Sequence, residues 1–134
     1  MRFSAAEALD ASGVDPARLR STLPDVDPST IPVRKASRWF RMLWAPEITA
    51  VATPWGIYVH PDRLAAARST LGPLMVHELT HLQQWRRLGA SRWARVYFGD
   101  YLRGRRSGLS HHVAYRAISL EVEARDVAGR ITAT

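Results

Sequence analysis

The stretch from Gly72 to Gly89 constrains this chain more than any other. Gly72-Pro73 supplies an N-cap and N1 pair, Leu88-Gly89 supplies a C′ glycine, and no glycine or proline lies between Pro73 and Gly89. The stretch therefore reads as one long helix. Inside it stands His77-Glu78-Leu79-Thr80-His81, preceded by Leu74-Met-Val and followed by Leu82. Two imidazoles at i and i+4 share a face one turn apart, so both can reach one metal ion. Glu78, about 100° round the helix from His77, overhangs that face and is placed to take a proton from water. Histidines flanked by apolar residues lie near a core, where a neutral imidazole needs a partner.

The remainder reads as α+β. Ser4-Ala-Ala-Glu7 has capping-box spacing for a short helix ending before Gly13, and Asp15-Pro16 opens a second through about Ser21. Pro24, Pro28 and Pro32 mark an extended connector, and residues 35 to 44 suit a short helix. Residues 48–53 and 57–59 are β-branched and aromatic, separated by Pro54-Trp55-Gly56, which predicts a hairpin. Residues 62 to 69 read as helical. After a basic, aromatic stretch from Trp93 to Gly108, Ser110 caps a helix expected to run unbroken to Gly129, with Val113, Ala117, Leu120, Ala124 and Val127 facing the core.

With 134 residues and 46% hydrophobic composition, one domain with a single core is expected, divided into an N-terminal segment, 1–34, and a metal-binding core, 35–134. The absence of cysteine excludes disulfides, thiol catalysis and cysteine-based zinc sites. No apolar run suffices for a membrane span, and residues 1 to 13 do not read as a secretory signal, so a cytoplasmic location is expected.

A catalytic zinc site takes three protein ligands and leaves one position open. Downstream of His81 the candidates are His111, His112, Glu121, Glu123 and Asp126. Glu121 shares a helix face with Ala114, Ala117, Ala124 and Ala128, small residues that permit close approach of the two helices. Glu123 aligns with Arg116, Ser119, Asp126 and Arg130 on a solvated face and is the alternative third ligand. Glu121 also has a bland explanation, an i,i+4 pair with Arg125. His111 lies roughly 15 Å up the same helix from Glu121, so one ion cannot take both unless the helix breaks. Tyr115, His111 and His112 have suitable chemistry to stabilise an oxyanion, though Tyr115 also suits a core position.

HELTH, within Leu74-Met-Val-His-Glu-Leu-Thr-His-Leu-Gln-Gln84, resembles the zincin metallopeptidases, and Tyr115-Arg-Ala-Ile-Ser-Leu-Glu121-Val-Glu-Ala124 is similar to the glutamate helix of gluzincins. More narrowly, the chain resembles short bacterial proteins with HELxHxxQ followed by a Tyr-x-x-Asn-Pro-x-Glu-x-Glu-Ala segment, here with Ile118-Ser119 in place of Asn-Pro. The resemblance covers about residues 48 to 128. It implies a minimal zincin-like fold and Zn2+ held by His77, His81 and Glu121. It further implies Glu78 as general base and acid, a peptide or amide substrate, and a substrate-binding edge strand within 48–59. The short chain leaves little room for a second cleft wall, and in minimal gluzincins an extra segment can block the cleft, so latency also follows.

Charge supports two rivals. Lysine and arginine number 19 against 12 acids, a net +7. Residues 1 to 33 hold three basic and five acidic residues, net −2, leaving +9 for the rest. The acidic third could therefore lie over the basic body, with Asp25 or Asp27 near the metal as an internal inhibitor. Arg86, Arg87, Arg92, Arg95, Arg103, Arg105 and Arg106, offset only by Asp100, form the basis of a nucleic-acid-binding alternative; a solvated basic surface is the plainer explanation. A non-catalytic zinc module with a fourth ligand from His60, Asp62 or the N-terminus is the remaining alternative.

Overall fold

The computed structural model describes residues 3–44, 48–65 and 68–132. The chain is mixed α+β and mostly helical, with one four-stranded sheet. The elements are β1 (Phe3–Ser4), α1 (Ala5–Ala11), α2 (Pro16–Thr22), β2 (Pro32–Lys35), α3 (Arg38–Arg41), β3 (Ala50–Thr53), β4 (Gly56–Val59), α4 (Pro61–Leu64), α5 (Gly72–Leu88), α6 (Ala90–Arg106), α7 (His111–Arg116) and α8 (Ser119–Thr132). Short 3-10 turns fall at Pro28–Thr30 and Arg68–Thr70.

Local chemistry explains most of these boundaries. Ser4 accepts the Glu7 amide at 3.2 Å to open α1, and Asp15 accepts the Ala17 amide at 3.0 Å to open α2 behind Pro16. Gly89, at φ 82°, ends α5 and begins α6 one residue later, a left-handed turn that a side chain would strain. The sheet order is β1-β2-β4-β3, with β2 and β4 parallel and the other pairs antiparallel. β3 and β4 form the expected hairpin, with Thr53 opposite Gly56. β3 is the edge strand on that side.

α5 is the central helix. Met75, Val76 and Leu79 are fully buried between the sheet residues Val33, Ile57 and Val59, the N-terminal Leu9 and Leu19, and Val127, Ala128 and Ile131 of α8. At about 1.5–3 kcal/mol for each large apolar side chain removed from water, this layer is what fixes α5 in place.

Three features differ from the sequence expectations. Trp93 to Gly108 is largely helical, within α6, which buries no residue completely. The helix expected from Ser110 to Gly129 breaks at Ala117-Ile118, so Val113 is exposed and Ala117 leaves the core face, while Leu120, Ala124 and Val127 stay buried. The break is held from outside: Asp100 of α6 accepts the Ser119 amide at 2.9 Å and the Ser119 hydroxyl at 2.5 Å, capping α8. Finally, the connector ends in a strand, β2, and residues 1–34 pack on the rest, contributing Phe3, Leu9, Leu19, Leu23, Ile31 and Val33 to the common core. The helix read over 62 to 69 is realised as α4 and the second 3-10 turn; residues 66 and 67 lie outside the described residues.

Candidate metal centre

α5 presents His77 and His81 one turn apart, ring centroids 5.0 Å from each other. α8 packs across this face more extensively than any other helix, and Glu121 in its first turn reaches both imidazoles. Glu121 Oε1 lies 2.8 Å from His77 Nε2 and 3.1 Å from His81 Nε2. Close approach is possible because Ala124 and Ala128, on the same face, are buried and small. Among the described residues, His77, His81 and Glu121 form the one group whose ligand atoms lie within 4.8 Å of one another. A tetrahedral ion with bonds of ~2.0–2.1 Å spaces its ligand atoms ~3.3 Å apart, and two imidazoles with a carboxylate form a common donor set for it. The residues therefore fit a zinc-sized ion.

A second layer orients these donors. Gln84 Oε1 accepts from His81 Nδ1 at 2.9 Å and from the Trp93 indole at 3.3 Å, while its amide nitrogen donates to Leu120 O and Glu123 Oε1, both at 2.9 Å. A proton fixed on His81 Nδ1 leaves Nε2 as the ligand atom. Tyr97 donates to Glu121 Oε2 at 2.6 Å. Trp93 and Tyr97 stack at 4.6 Å between centroids, one turn apart on α6.

The electrostatics follow from burial and these contacts. Burial alone would raise the Glu121 carboxyl, but hydrogen bonds with His77 and His81, the His81 charge and the Tyr97 hydroxyl hold it well below the usual carboxylate range. Burial opposes charging of His81, yet Glu121 and Glu78 outweigh it and push its pKa up to about 9. Burial and the adjacent Glu121 carboxylate push the Tyr97 phenol far up, keeping it a donor. Glu78 is 5 % exposed, and burial pushes its carboxyl up, against the pull of His81, His77 and the Ala52 amide.

Two hollows meet at this cluster, sharing Ile48, Ala50, Glu78, Tyr115 and Glu121. The smaller, about 110 Å³, runs between β3 and an aromatic wall of Trp85, Trp93 and Tyr97. The larger, about 450 Å³, is bordered by Arg63, His112, Arg116 and Arg125. Together they form a groove past the edge of β3, whose far side comes from α6 and α7.

Of the other site residues expected from sequence, Tyr115 lines both hollows and His112 the larger one. His111 is exposed, its ring 2.7 Å from the Tyr101 hydroxyl, and lines neither hollow. Glu123 bonds Gln84 and, at 3.4 Å, Arg87; it stands behind the donors rather than among them. Arg125 donates to Arg116 O at 2.5 Å instead of pairing with Glu121. Asp25 bonds Gln83 and Arg86, and Asp27 caps the first 3-10 turn, so neither lines the groove. His60 contacts Arg41 and Asp62 and stands outside the cluster. In the arginine band, Arg86, Arg87, Arg103 and Arg105 all hydrogen-bond within the chain.

Sequence reasoning missed Tyr97 and Trp93, although their i,i+4 spacing was visible, and left Gln84 without a role despite its place at the end of HELxHxxQ. No helix among the described residues is long and apolar enough to cross a membrane. Comparison with models of known protein families, with curated proteins and with solved structures finds no match.

Proposed function

We propose that the chain is a zinc-dependent peptidase or amidase of gluzincin type. The observation that carries this reading is Glu121 Oε1 within hydrogen-bond distance of both His77 and His81 Nε2, with buried Glu78 beside them in a groove. His77, His81 and Glu121 would hold the ion. When bound, zinc supplies a Lewis acid that polarises an amide carbonyl and makes water acidic enough to attack it.

The chain's own residues do the rest. Glu78 accepts the proton of the attacking water and passes it to the leaving amine. Its carboxylate is steadied by the Ala52 amide of β3, on the edge facing away from β4. That edge offers backbone groups to an extended peptide, which would lie as an added strand across Glu78. Tyr115 and His112 border the groove as donors for the developing oxyanion. Trp85, Trp93 and Tyr97 exclude water from one end.

Metal content by mass spectrometry tests the reading. Wild type and Glu78→Gln should each hold about one zinc per chain, and His81→Ala and Glu121→Ala should lose it. A mixed peptide library should then be cut by wild type and left intact by Glu78→Gln. A wild-type chain that takes no metal after reconstitution overturns the proposal. Full metal with equal activity in Glu78→Gln removes Glu78 from its role.

A further inference from the structure

The larger hollow carries arginines that pair with no acid among the described residues. Arg63 from α4, Arg116 from the end of α7 and Arg125 from α8 border one space, with His112 beside them. The carboxylates lining it, Glu78 and Glu121, are both buried; Glu121 is shared by two histidines and Tyr97, and Glu78 takes the Ala52 amide. Among the described residues no ion pair joins any of the three arginines to an acid. Backbone carbonyls position two of them instead: Arg63 donates to Thr70 O at 3.3 Å and Arg125 to Arg116 O at 2.5 Å. Elsewhere in the chain arginines do find acids, as in Arg87 with Glu123 at 3.4 Å and Arg103 with Asp100 at 2.9 Å.

We propose that Arg63, Arg116 and Arg125 form a subsite for a substrate carboxylate, which makes the groove selective for acidic peptides. The proposal rests on the peptidase reading of the adjacent centre. A guanidinium fork matches a carboxylate in two-point geometry, and cations held near one another without an acid gain most when an anion arrives. The hollow opens directly onto Glu78 and Ala50, so a peptide on the edge of β3 that meets Glu78 also passes these arginines. The opposite end of the groove, walled by Trp85, Trp93 and Tyr97, suits an apolar side chain. The carboxylate comes from an Asp or Glu side chain or from the chain terminus.

The test is calorimetric titration of Glu78→Gln, with and without zinc, using two pairs of synthetic peptides. One pair is Ac-Ala-Phe-Ala-Glu-Ala-NH2 and its Gln counterpart; the other is Ac-Ala-Phe-Ala-Ala-OH and its amide. The acid member of one pair should bind about tenfold tighter or more. In Arg63→Gln/Arg116→Gln the preference should fall below about threefold with zinc content unchanged, and Arg116→Lys should keep part of it. Preference in the first pair assigns a side-chain carboxylate, and in the second a terminal one. Equal binding within both pairs, no binding of any peptide, or a preference that survives the double variant overturns the subsite. So does a preference that disappears with zinc, because the carboxylate would then be ligating the metal. A chain that takes no zinc sinks the peptidase reading alone, since the metal-free titration still reads the arginines.

Discussion

Gln84 Oε1 sits 2.9 Å from His81 Nδ1, and the same amide donates to Leu120 O and Glu123 on α8. One 1 %-exposed side chain thus sets the tautomer of a histidine on α5 and ties that helix to the one carrying Glu121. Gln84→Ala leaves His81 Nδ1 and the Leu120 carbonyl short of partners in a buried setting. Zinc affinity should fall ~10–100-fold, and stability by ~1–3 kcal/mol. Competition with a chelator of known affinity, alongside urea denaturation, measures both. Unchanged zinc affinity would mean that His81 is oriented without Gln84.

Tyr97 is the other supporting residue, donating to Glu121 Oε2 at 2.6 Å while Oε1 faces the histidines. Tyr97→Phe keeps the stack on Trp93 and removes only the hydroxyl. The bare carboxylate oxygen should cost ~1–3 kcal/mol of stability and about tenfold or more in zinc affinity. Circular dichroism of the two proteins should overlay, separating this loss from misfolding.

How much was legible depended on whether the determinants were local. Gly72-Pro73 and Gly89 bracket α5 with signals that act within a turn, so the helix and the common face of His77 and His81 follow from sequence. Pro54-Trp55 and its β-branched flanks specify the hairpin in the same way. Glu121 was favoured over Glu123, which stayed open as the alternative, because Ala124 and Ala128 mark a face of small residues, and both are buried. The break before Ser119 was not legible, because its cap, Asp100, comes from another helix. Nor was β2, whose four residues follow a run of prolines and gain their meaning only from parallel pairing with β4. α6 went unread although its apolar residues recur at helical spacing, because Gly99 and Gly104 interrupt it and no side chain caps its start.

Asp100 also predicts a pH dependence. Burial raises its carboxyl, but the Ser119 hydroxyl and amide and Arg103 together outweigh it and hold its pKa below the ordinary value. A depressed folded-state pKa contributes stability that is complete above the unfolded value of about 3.9 and is lost as pH falls through the folded one. Asp100→Ala should therefore cost about 1 kcal/mol at pH 7, and the gap from wild type should begin to narrow below about pH 4. Denaturant midpoints at pH 7 and pH 3 give the comparison. A gap as large at pH 3 as at pH 7 would assign the loss to packing rather than to the charged cap.

Metal should stabilise the fold because its ligands span α5 and α8. Zinc at a hundredfold over its dissociation constant adds about 2.7 kcal/mol, roughly 10 °C in melting temperature for a chain of this size. A chelator should reverse the shift, and Glu121→Ala should show none. A zinc-dependent rise in Glu121→Ala equal to that of wild type would place the ion elsewhere.

Gly72 tests whether the N-terminal residues belong to the same folding unit. A Cβ at this position would lie 2.7 Å from Ser12 Cβ and 3.5 Å from Val14 Cγ2. Ser12 cannot yield easily, because its hydroxyl is held by Ala8 O at 2.8 Å at the end of α1. Helix propensity favours alanine over glycine by up to ~1 kcal/mol, so an open position would gain from Gly72→Ala. Forcing α1 away from α5 instead costs ~1–3 kcal/mol, and the net effect should be destabilising. The donors begin five residues later on α5, so zinc binding by the folded variant should stay at the wild-type level. A Gly72→Ala chain more stable than wild type would show that α1 moves aside freely. A destabilised one with intact zinc binding would make residues 1–34 part of the support of α5, and their removal should then unfold the chain rather than open its groove.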